Sequence, residues 1–174
     1  MIAEIESIIN TLFNDKASIK KREDELVRIR TMQNRATSGN FAKMKGKLPW
    51  PVQGKIISRF GNQKNRKLKT ITENVGIEIQ AAVGTPVITV LDGVISTITY
   101  IRGHGNIIII DHGGGFSTVY AQIENINVHE NDYVQMGNAI AYVARPEENN
   151  PAKLHFEVWG NQKKLNPEHW LIHK

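Results

Sequence analysis

Two periodicities divide the chain. Near the start, Ile2, Ile5, Ile8, Ile9, Leu12 and Phe13 recur at spacings of three and four, which lines one face of an α-helix. Asn14 or Asp15 offers a cap, and a weaker pattern through Ile19, Leu26, Ile29 and Met32 predicts a second helix. That helix is heavily charged ("KKREDE") and is expected to stop by Ser38-Gly39. Residues 1–38 therefore read as a helical arm; the stretch "TSGNFAKMKGK" is linker-like, and the linker is placed at residues 39–48. The arm has alternative readings: a piece of coiled coil, helices packed on the domain, or a segment that docks reversibly into a groove.

From Leu48 onward the period becomes two. "KIISRFG", "VGIEIQA", "TPVITV", "GVISTITYI", "NIIIIDH", "STVYAQI", "YVQ", "NAIAYVA" and "LHFEVW" read as strands, separated by turn signals such as "LDG", "RGHGN", "HGGG" and "MGN". Connections this short join antiparallel neighbours, because parallel pairs need a crossover of about a dozen residues. The expected fold for residues 49–174 is mainly β, an antiparallel two-sheet domain preceded by the arm. Ile107 to Ile110 are apolar on both faces and predict a central strand. Within "TENVGIEIQAAVG", Val75, Ile77 and Ile79 alternate with Asn74, Gly76 and Glu78, so one face of that strand is kept polar.

Composition narrows the function without naming it. No run approaches the roughly 18 to 20 apolar residues that cross a bilayer. The N-terminus carries acids where a secretory signal carries a basic region, so the chain reads either as not exported or as a fragment lacking its leader. With no cysteine, disulfides, thiolate ligands and thiol nucleophiles are excluded. The net charge of +5 is concentrated in the arm. Residues 1–47 hold ten Lys and Arg against six acids, while the remainder holds twelve against eleven. No zinc finger, RNP-type aromatic motif or Arg-rich stripe accompanies that charge, so nucleic acid is not an expected partner. Among the histidines, His112 ends the central strand and reads as structural. His104 and His129 sit in turns and read as solvated, and His169 and His173 lie in the tail.

Several segments together resemble a known family. "GTPVITVLDGVIS", "RGHGNIIIIDHGGGFSTVYAQI", "AIAYV" and "LHFEVW" follow the order and spacing of the lysostaphin-type (LytM-like) zinc endopeptidases, which cut peptide cross-links in peptidoglycan. The resemblance covers roughly residues 49 to 171 and implies a β-rich domain with its active site in a groove. Active members carry H-x-x-x-D, a His after "YA", and H-x-H. Mapped onto this chain, the zinc-ligand positions are Asn74, Glu78 and His155, and the two catalytic His positions are Gln122 and Lys153. Only His155 keeps the family's residue.

The chemistry of that set argues against a working centre. A catalytic zinc takes about three protein ligands and an open position for water. An Asn amide is a weak ligand beside imidazole. On a straight strand residues 74 and 78 stand about 13 Å apart at ~3.3 Å per residue, so sharing one ion would need a bend near Gly76. Lys153 lies on the same face as His155 and brings an ammonium toward the metal position. Neither Gln122 nor Lys153 can shuttle protons as an imidazole does near neutral pH.

The set therefore resembles a degenerate branch of the family, the murein hydrolase activators of the EnvC type, a likeness strengthened by "GKLPWPVQGKIISRFG" and "KKLNPEHWL". That resemblance implies no enzymatic activity and no cofactor. It implies a periplasmic location and an N-acetylmuramyl-L-alanine amidase as partner, bound in a groove that includes Asn74, Glu78, Gln122, Lys153 and His155. It further implies an upstream coiled coil controlled by an ABC-transporter-like membrane complex at division, with peptidoglycan as a further partner. The stripe Ile2 to Phe13 would then be a regulatory helix over the groove. Two other readings stand beside it: an active zinc endopeptidase using Glu78, His155 and a third ligand, and a passive cell-wall binding module.

Overall fold

A computed structural model describes residues 16–32, 40–65, 68–147 and 149–173. The stripe Ile2 to Phe13 lies outside the described residues. The charged pattern forms helix α1 (Lys16–Met32), and a short helix α2 (Asn40–Lys43) precedes the strands. The strands are β1 (Lys55–Ser58), β2 (Gly61–Asn65), β3 (Thr70–Asn74), β4 (Ile77–Gln80), β5 (Pro86–Ile88), β6 (Gly93–Ile101), β7 (Gly105–Gly113), β8 (Phe116–Glu124), β9 (Tyr133–Val134), β10 (Ala139–Val143), β11 (Lys153–Gly160) and β12 (Lys163–Leu165).

The chain is mainly antiparallel β, as the alternation predicts. The larger sheet has ten strands, with β1-β4-β11-β8-β7-β6-β9 as its main path and β10, β5 and β12 branching from it; β2 and β3 form a separate hairpin. The hairpin was not among the expected strands. Its residues are mostly polar or charged, so no apolar alternation marks it. At β8 the sheet divides. Residues 116–121 pair with β11, and Ile123 and Glu124 pair with β10 along the same edge.

The faces of the sheet sort the apolar residues. Ile77 and Ile79, Ile108 and Ile110, Leu154, Phe156 and Val158 point into one large core, which Val87, Ile140 and Val143 of the β5–β10 branch also enter. The alternate residues Ile107, Ile109, Val119, Ala121 and Trp159, with Ile101, form a second, smaller apolar cluster on the other face. β7 is thus the doubly buried strand that its run of isoleucines predicts.

The stretch read as linker is packed against the domain near both of its ends. Phe41 and Leu48 are fully buried in the large core. The Phe41 ring lies 4.8 Å from Phe116, 5.0 Å from His112 and 5.1 Å from Trp170. Leu48 bridges in parallel to Leu171, so this entry segment and the C-terminal segment lie side by side. His104 is buried, contrary to its reading as a solvated turn residue, because its backbone joins the end of β6 to β8: its N–H donates to Ile101 and its carbonyl accepts from Gln122. His129 is exposed, as expected. Helix α1 is tied to the β6 edge by Arg22, which donates to the Ser96 carbonyl at 2.7 Å and to Asn131 Oδ1 at 2.6 Å, with Leu26 buried.

Candidate functional site

One cross-strand row organises the polar residues. Ser58 of β1 pairs with Glu78 of β4, Glu78 with His155 of β11, and His155 with Ala121 of β8. Paired residues on neighbouring antiparallel strands stand about 5 Å apart. Because Ile77, Ile79, Leu154 and Phe156 enter the large core, Glu78 and His155 project from the opposite face, beside the smaller apolar cluster.

Asn74 joins this row through a bend. β3 ends at Asn74 and β4 begins at Ile77, so the alternating segment is two strands and not one. The Gly76 N–H donates to Asn74 Oδ1 at 3.1 Å, and Asn74 Nδ2 donates to Ser58 Oγ at 2.9 Å. The straight-strand separation between residues 74 and 78 therefore does not apply. The turn near Gly76 carries Asn74 back to Ser58, next to Glu78.

Lys153 and Glu78 form an ion pair, with side chains 24% and 21% exposed. His155 points into the protein, and its Nε2–H donates to Glu157 Oε2 at 2.7 Å. Trp159 Nε1–H donates to the other oxygen of that carboxylate, also at 2.7 Å. Glu157 is completely buried, and two charge-assisted bonds compensate its desolvation. Burial alone would lower the His155 pKa; the hydrogen bond and charge of Glu157, aided by Glu78 and opposed by Lys153, outweigh it and raise the value above 6.5.

Gln122 follows Ala121, at the end of the row. Asn106 pairs with Ile123 and Ile107 with Ala121, which leaves Gln122 as an extra residue in a β-bulge. Its φ of 64° lies in the left-handed region, uncommon for a residue with a side chain. The bulge falls where β8 passes from β11 to β10. The Gln122 N–H donates to the His104 carbonyl and its own carbonyl accepts from Ala144, both at 3.0 Å.

All five positions named from the sequence thus belong to one region. Glu157 and Ser58 were not foreseen. A signal for Glu157 did exist: an acid two residues from His155 on the same face of an otherwise apolar strand.

The donor set does not fit zinc. The Asn74 amide is engaged by Gly76 and Ser58, and the Glu78 carboxylate by the Lys153 ammonium; the bond from His155 Nε2 to Glu157 is compatible with metal ligation through the other ring nitrogen. Among the described residues no group of three or more His, Asp or Glu is disposed to share an ion.

Comparison with known proteins places these residues in context. Residues 72–167 match the profile of peptidase family M23. The chain is 35% identical over 119 residues to the cell division protein DipM of Caulobacter vibrioides, covering 68% of this chain and 19% of that protein. It is 28% identical over 134 residues to the murein hydrolase activator EnvC of Escherichia coli, covering 77% of this chain and 31% of that protein. It therefore spans about a third or less of the length of these relatives. A zinc-containing peptidase from Vibrio cholerae shares the fold, with a TM-score of 0.65 at 22% identity over 74% of this chain and 41% of that one.

Proposed function

Because the chain belongs to peptidase family M23 but closes its polar row on itself, we propose that it is a non-catalytic activator of a peptidoglycan hydrolase. The single observation that carries this reading is the Lys153–Glu78 ion pair, which engages a carboxylate that a metallopeptidase would leave for its ion. The naming of EnvC as a murein hydrolase activator, and of DipM as a cell division protein, supports the same class of role.

In this reading the face carrying Asn74, Glu78, Gln122, Lys153 and His155 is a docking groove. The buried apolar cluster of Ile107, Ile109, Val119 and Trp159 lies on the same side of the sheet and supports it from within. The partner is an N-acetylmuramyl-L-alanine amidase in the periplasm, with peptidoglycan nearby as the substrate of that enzyme. The stripe Ile2, Ile5, Ile8, Ile9, Leu12 and Phe13 offers anchors at the spacing a groove accepts, and it competes with the amidase for the same face. A partner can displace such an arm only by its differential affinity for the open state, so arm and face must differ from partner and face by a few kcal/mol. Coiled coil upstream connects the arm to an ABC-transporter-like membrane complex. The units are residues 1–38 as arm, 39–48 as connection and 49–174 as the docking domain.

Dye release from labelled peptidoglycan tests this. The whole chain alone releases nothing, it raises release by a cognate amidase, and an Ile5→Asp/Ile9→Asp variant raises it further. Release by the chain alone, abolished by a chelator, would overturn the reading.

A further inference from the structure

We infer that Lys153 takes the place of a metal ion in this protein: its ammonium is a built-in cation that neutralises Glu78 and clamps β4 to β11. Three observations converge on it. First, the direct cross-strand partner of Lys153 is Gln80, yet its ammonium pairs with Glu78, one diagonal away and opposite His155. Second, both side chains are largely withdrawn from water. A carboxylate held there without a counter-charge is costly, and either a metal ion or a cationic side chain such as the Lys153 ammonium supplies one. Third, the neighbouring donor is locked, because the Asn74 amide bonds Ser58 and Gly76. Lys153 and a divalent ion are therefore alternatives at one position, and their positive charges exclude one another.

This inference concerns the charge that holds the row together, and it stands whether or not the face binds a hydrolase. It predicts that the barrier to metal binding is the lysine and not the fold. Replacing Asn74 with His adds a nitrogen donor beside Glu78 and His155, a His-and-carboxylate set of the kind that holds zinc. It does so usefully only once the ammonium is gone.

The test titrates zinc chloride into the chelator-stripped whole chain by calorimetry and follows the melting midpoint. Wild type and Asn74→His bind weakly or not at all. Asn74→His/Lys153→Ala binds at least about tenfold more tightly than Asn74→His and gains a zinc-dependent rise in midpoint, while Asn74→His/Lys153→Arg does not. Without zinc, Lys153→Met melts below wild type and Lys153→Arg stays close to it, a comparison that holds even where a His variant folds poorly. Stoichiometric zinc in wild type, equal affinity for Asn74→His with and without the lysine, or full stability of Lys153→Met would each overturn the inference.

Discussion

Gly76 passes so close to Phe156 that a Cβ on it would overlap the Phe156 carbonyl oxygen and lie 2.7 Å from Glu157 Cγ. The glycine lets the β3–β4 bend press against β11, and that contact brings Asn74 to the row that contains Glu78 and His155. Backbone cannot yield as a flexible side chain can. Gly76→Ala is therefore expected to cost about 3 kcal/mol, at the upper end of overpacking. The urea midpoint measures it; a change below about 0.5 kcal/mol would show that the bend tolerates a side chain.

The buried pair of His155 and Glu157 makes part of the stability depend on pH. The His155 pKa is raised in the folded protein, burial notwithstanding, because Glu157 holds the charged ring. A raised native value means that the stabilisation is complete below the ordinary value of 6.5 and is lost as pH rises through the native value. The unfolding free energy of wild type relative to Glu157→Gln should then fall as pH rises above 6.5. A difference that grows with pH over that range would contradict the assignment.

How much of this was legible in the sequence varies with the physics involved. The isoleucines of β7 announce a strand covered on both faces, because apolar periodicity reports burial directly. The β2–β3 hairpin carries no such pattern and was missed. Phe41 was read within a polar linker, since one aromatic residue has no periodicity; its burial depends on Phe116 and Trp170, distant in the chain. The site positions came from alignment with a motif, but the bend at Gly76 and the fate of each side chain depend on contacts across strands. That Lys153 reaches Glu78 and not Gln80 could not be read from spacing.

Phe41 provides a test of that packing. It is fully buried and touches three aromatic rings. Phe41→Ala should cost about 3–5 kcal/mol, the range for removing a core aromatic. Calorimetric melting would show it as a large drop in midpoint, whereas a linker residue would leave the midpoint unchanged.

Gln122 holds a left-handed backbone in a bulge whose two hydrogen bonds, to His104 and Ala144, are both made by its main chain. Glycine keeps those bonds and relieves a cost of about 1–2 kcal/mol, partly offset by about 0.5–1 kcal/mol of backbone entropy. Gln122→Gly should therefore be neutral or slightly stabilising. Gln122→Val, with a branched Cβ, should lose about 2 kcal/mol. Equal losses for both variants in urea denaturation would mean that the side chain, and not the backbone, holds the bulge.

Arg22 is the long-range tether of helix α1. It caps carbonyls on β6, an edge that β9 covers only at Gly93 and Val94. Edge carbonyls left open invite pairing with another chain, and a docked helix is one way to cover them. The tether is partly exposed, so its net worth to global stability is modest, about 1 kcal/mol. Arg22→Ala should accordingly shift the urea midpoint little, while Arg22→Ala/Leu26→Ala, which also empties a buried position, releases α1, with faster amide exchange along α1 and no change at β7 or β11. Unchanged exchange in α1 would mean that contacts other than Arg22 and Leu26 hold the helix to the sheet.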